Sequence, residues 1–185
     1  MKTIIKTRTG VLVLMILSAS IWRLIFSTGN SFLHSYTPIG AMALFGGCYF
    51  SDKWKAYLVP VLTLFISDLA LNYIYFHHFT LLYSGFAWTY GTFALMVMVG
   101  TFIKKVNVRN VILAGVIAAL LHYVITDFGT WISDGIYPLT WQGFTACYIA
   151  AIPYLQDMLI ANIVFGGIMF GAFEWAQKRY TSLAV

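Results

Sequence analysis

Ten of the chain's eleven lysines and arginines sit in four short segments, 2–8, 53–55, 104–109 and 178–179, and long apolar runs separate them. This spacing constrains the fold more than any motif does. In lipid a backbone cannot turn to water for hydrogen bonds, so such runs are viable only as helices or closed barrels. Composition points the same way: 61% of residues are hydrophobic and 9% charged, against about 25% charged in a soluble domain.

The apolar runs predict an all-α membrane protein, one domain over 1–185 with six transmembrane helices. Their expected ranges are Val11–Phe26, Ile39–Phe50, Ala56–Phe76, Ala87–Ile103, Val111–Phe128 and Tyr154–Ala176. Ser18-Ala19-Ser20 resembles a leader cleavage site, but the apolar run continues through Ile21, Trp22 and Leu24 to Phe26, longer than a typical leader core. A retained first helix is therefore expected. The second run opens after Thr37-Pro38 and holds Gly40, Ala41, Ala43, Gly46 and Gly47. Small residues let membrane helices approach closely, which predicts a central position for it. From Gly129 to Pro153 the composition shifts to turn residues and interfacial aromatics, and Leu139–Ala151 is expected to form a separate amphipathic or re-entrant helix.

Six spans return both termini to one side. All four basic segments then share that side, and the positive-inside rule makes it the interior, N-in and C-in. The net charge of +5 thus reflects orientation in a lipid bilayer, and no nucleic-acid partner is expected.

The opposite face carries the chemistry. Leu64–His78 is the outer half of the third span, yet it contains Asp68 and Asn72 one turn apart and ends on His77 and His78. An ionisable group at this depth costs at least ~2.5 kcal/mol, so it should face a cavity or a partner. The alternative for Asp68 is a structural hydrogen bond to a neighbouring helix. Arg23, His34, His122, Asp127, Asp134 and Asp157 fall in the same half, with Trp88, Trp131 and Trp141. Polar and aromatic groups converging from several spans suit a small-molecule pocket. For most of the aromatics an interfacial belt is the simpler reading. His122 fits a packing role as well as a ligand contact.

Cys48 and Cys147 have no metal-type spacing, and the sequence leaves a bridge between them open. No HxxxH pair, nucleophile elbow, zincin motif or phosphate loop occurs. An enzyme is not expected, and this chain cannot power transport alone.

The strings Thr37–Gly47, Ser67-Asp68-Leu69, Thr126–Trp131, Tyr137-Pro138 and Ala146–Pro153 resemble a family of small bacterial six-helix membrane proteins of unknown function, over about Arg23 to Glu174. Where that family usually shows Thr-Asn-Phe, this chain has Thr126-Asp127-Phe128. The family is in turn similar to the S-components of energy-coupling-factor vitamin transporters, nearest the solitary cobalamin transporters of the BtuM type. The resemblance implies residence in the bacterial cytoplasmic (inner) membrane as a multi-pass protein. It implies an outward pocket built from the later helices, under the loops after spans one, three and five. It also implies that an imidazole after span three could be an axial ligand to corrinoid cobalt. BtuM-type proteins use a cysteine there; this chain has His77 and His78. S-components that dock on a shared energy-coupling-factor module often carry AxxxA in the first helix, and the first span here has Ala19 alone, which favours a solitary mode.

The expected function is substrate binding and uptake of a micronutrient, a vitamin such as cobalamin or another corrinoid, with no intrinsic cofactor. Asp68 and Asn72 would anchor polar groups, and His77 or His78 would supply a metal or hydrogen-bond contact. Trp131 and Trp141 would form a flat wall or lid, and His122, Asp127 and Asp157 would complete the lining. The rival reading is a haem- or metal-binding membrane protein, or a membrane enzyme, using outer-face histidines.

Overall fold

A computed structural model describes residues 2–27, 35–78 and 81–183. The described residues form six helices and no strand: α1 (Lys2–Ser27), α2 (Ile39–Tyr49), α3 (Lys53–Phe76), α4 (Phe86–Thr101), α5 (Val108–Ser133) and α6 (Trp141–Arg179). Four contain stretches long and apolar enough to cross a membrane: Thr7–Phe26, Lys53–Tyr75, Val108–Ser133 and Trp141–Arg179. The outer faces of these helices remain apolar. Leu14, Leu17, Ile21 and Ile25 are exposed along α1, Leu58, Leu62 and Ile66 along α3, and Leu113, Ile117, Leu120 and Val124 along α5. An exposed apolar stripe repeating every three or four residues inverts the pattern of a soluble bundle and suits contact with lipid.

At 11 and 16 residues, α2 and α4 rise about 16 and 24 Å, short of a ~30 Å hydrocarbon core. The expected central role of α2 holds. It packs against each of the other five helices and is buried at nearly every position. Glycines make this approach feasible. A Cβ at Gly47 would overlap the Val97 carbonyl oxygen on α4, and one at Gly100 would overlap Leu44 on α2. Phe45 of α2 then meets the rings of Phe170 and Phe173 on α6 edge-on, at 5.5 and 5.6 Å.

Two ends of the bundle differ sharply. At one, Arg8 donates to the Tyr49 carbonyl at 3.0 Å and the Tyr49 hydroxyl donates to Glu174 at 2.6 Å. The four basic segments belong to this end. At the other, Ser84 and Trp88 of the α4 start meet Asp134 and Ser133 at the end of α5.

Two expectations need correction there. The helix α5 runs five residues beyond Phe128, through Gly129, because Gly129 provides room for the Trp88 ring and is not a turn. The separate helix expected over Leu139–Ala151 does not exist; it is the first third of α6, which continues through Pro153. A helical proline strips the carbonyl four residues back of its donor, here Ile149. Both residues are exposed, so neither proline ring nor freed carbonyl disturbs the packed face. Thr140 caps the start by accepting from the Gly143 amide at 3.2 Å. His34 lies outside the described residues.

Candidate functional site

The helices α5 and α6 run antiparallel for most of their length, and aromatic contacts bind their far ends. The Tyr123 hydroxyl donates to the Tyr148 carbonyl at 2.8 Å, and the Tyr148 hydroxyl donates back to the Val124 carbonyl at 2.7 Å. Phe144 bridges Trp131 and Tyr148, with ring centroids at 5.2 and 4.5 Å. The Cys147 thiol reaches the Asp127 carbonyl at 3.4 Å. Both cysteines are free, which resolves the open question of a bridge.

Just inward of this aromatic clasp is a cavity of about 250 Å³ between α4, α5 and α6. His122, Thr126 and Thr130 line it at successive turns of α5, with Tyr123 and Asp127 on the adjoining stripe. Thr89 enters from α4, and Tyr154, Leu155 and Met158 from α6. The Thr126 hydroxyl donates to the His122 carbonyl and lies 3.1 Å from His122 Nδ1. Hydroxyls, an imidazole, a carboxylate and phenol rings therefore share one chamber.

The carboxylates of the chain separate into two kinds. Asp68 is 5% exposed and fully engaged: Arg23 donates to one oxygen at 2.6 Å and the Tyr90 hydroxyl to the other at 2.8 Å. Arg23 also donates to Ser67, which in turn donates to the Leu64 carbonyl at 2.8 Å. This cluster joins α1, α3 and α4. Asp52 pairs with Lys55, Asp134 accepts from Ser84 at 2.7 Å, and Glu174 accepts from Tyr49. Burial and then the Asp157 carboxylate beside it, which accepts a hydrogen bond from the phenol, push Tyr36 above its ordinary range. Asp127 alone of the six acids has neither ion pair nor hydrogen bond to its carboxylate among the described residues, and it lines the cavity.

Of the residues expected to form the site, His122 and Asp127 come together. Asp68 and Asn72 are buried on α3 and do not line this chamber. His77 caps α3 in the left-handed region at φ 55°, and it and His78 are exposed. Trp131 and Trp141 line a separate open hollow of about 290 Å³ with Leu139, Thr140 and Phe144. Asp157 lies on α6, next to the lining residue Met158 but engaged with Tyr36. Among the described residues no three His, Cys, Asp or Glu side chains are grouped to hold a metal ion. Sequence reasoning missed Thr89, Tyr123, Thr126, Thr130 and Tyr154. The i, i+4, i+8 spacing of His122, Thr126 and Thr130 carried the signal.

A family model described as a family of unknown function, DUF6580, matches residues 3–183. The chain belongs to this family. No curated protein and no solved structure matches it. The DUF6580 match covers all six helices, so the chamber, the Arg23–Asp68–Tyr90 cluster and the aromatic clasp all lie within the family's extent.

Proposed function

We propose that the chain is a six-span transporter of the bacterial inner membrane that binds a micronutrient from the outer side. The cavity with its unpaired Asp127 carries this reading. A carboxylate without a partner in a membrane helix is unfavourable, and a bound solute relieves that cost. Under the positive-inside rule the basic end is cytoplasmic, so the chamber belongs to the outer half. The short α2 fits a six-span bundle because its neighbours surround it and it need not meet lipid along its length. Likeness to S-components and BtuM-type cobalamin transporters is part of this proposal, supported by the six helices and the clustering of basic residues at one end.

The size of the chamber bears on the substrate. Typical small-molecule sites run from about 300 to 1,000 Å³, and 250 Å³ suits a compact heterocyclic vitamin. A corrinoid would need the loops to open and His77 or His78 to reach its cobalt. Complementation of vitamin-auxotrophic bacteria that lack their own uptake system, one vitamin at a time, tests the proposal. Growth with the wild-type gene but not with Thr130→Trp, which fills the chamber, is the expected result. No growth difference for any vitamin would count against it.

A further inference from the structure

We infer that the chamber selects an organic cation, a small ring bearing a fixed or protonated positive charge, with Asp127 as its counter-charge. This assignment rests on the chamber being the substrate site. Every other acid of the chain is already engaged, by Arg23 and Tyr90, Lys55, Ser84, Tyr36 or Tyr49. Among the lining residues there is no lysine or arginine, so an anion would meet an uncompensated carboxylate and no positive side chain. A cation instead completes an ion pair with Asp127 in a cavity only partly open to solvent, where the attraction is stronger than in bulk water. Tyr123 and Tyr154 contribute phenol rings to the walls, surfaces that attract cations by their quadrupoles. Thr89, Thr126 and Thr130 provide hydroxyls that accept from ring N–H groups, and His122 offers a further polar nitrogen.

Three six-membered nitrogen heterocycles of different charge test this. The full-length protein in nanodiscs is titrated calorimetrically with N-methylpyridinium, neutral pyrazine and picolinate anion. Wild type should bind N-methylpyridinium roughly tenfold or more tighter than pyrazine, with picolinate weakest. Asp127→Asn keeps the shape and removes the charge, so N-methylpyridinium should lose its roughly tenfold advantage over pyrazine. Melting temperatures of both proteins confirm that the variant is folded. Equal affinity for the three probes, a preference for picolinate, or an unchanged cation preference in Asp127→Asn would overturn the assignment. The charge reading and the site reading fail differently. If pyrazine or picolinate binds best and Thr130→Trp blocks it, the chamber remains the site and the cation assignment falls. If Thr130→Trp leaves binding of all three probes unchanged, or none binds, both fall.

Discussion

Arg23 donates to Asp68 at 2.6 Å across the interface of α1 and α3, with side chains 13% and 7% exposed. Charges withdrawn this far interact strongly, and removing one leaves the other unpaired at a cost of about 3–5 kcal/mol. Arg23→Ala and Asp68→Ala should each lower the thermal unfolding midpoint in detergent markedly. The apolar double variant Arg23→Met/Asp68→Leu should recover most of the loss, since replacing a buried pair by packed apolar groups is often neutral. A double variant no more stable than the singles would show that the pair does more than hold the helices together.

Asp127 should respond with the opposite sign. Its carboxylate has no partner among the described residues, so Asp127→Asn should stabilise the ligand-free protein by about 1 kcal/mol. The gain stays below the ~2.5 kcal/mol of a membrane-centre acid because the cavity is partly open. Unfolding midpoints of the two proteins without ligand check this. Destabilisation by Asp127→Asn would reveal a partner for the carboxylate.

Glycines divide in the same way. Gly47→Ala and Gly100→Ala drive a methyl into backbone of the facing helix, which no rotamer change can relieve, and each should cost about 3 kcal/mol. Gly167 and Gly171 face open space, and alanine at either should be neutral or slightly stabilising through better helix propensity. Comparing expression and unfolding of the four variants distinguishes a packed α2–α4 contact from a loose one.

Much of the fold is legible in the sequence, and particular residues show where legibility ends. Gly40, Ala41, Ala43, Gly46 and Gly47 announce a helix that others crowd, and α2 is that helix. Gly129 and Pro153 read as breakers, yet both lie inside helices, because a helix tolerates either when a neighbour needs the space or the freed carbonyl faces outward. The candidate site is half legible. His122 and Asp127 stand out as polar groups in an apolar span. Asp52 pairs locally with Lys55, but for the other paired acids the partner comes from a distant part of the chain, with Arg23 45 positions from Asp68, and no local pattern reveals it.

The two imidazoles after α3 separate the compact-solute version of the proposal from the corrinoid version. His77→Ala/His78→Ala should leave uptake at the wild-type level if the solute sits between His122 and Asp127. Its loss would move the site to the α3 cap and favour an imidazole-to-cobalt contact. Uptake by cells expressing each variant measures this.

The most direct test is to identify what the chamber holds. Wild-type protein and Thr130→Trp, purified in parallel after incubation with an equimolar mixture of water-soluble vitamins, are denatured and their released solutes identified by mass spectrometry. One small, positively charged vitamin released near one per chain by wild type, and at background by Thr130→Trp, is the expected result. Equal release of every solute by both proteins, or none by either, would contradict a substrate site between α4, α5 and α6.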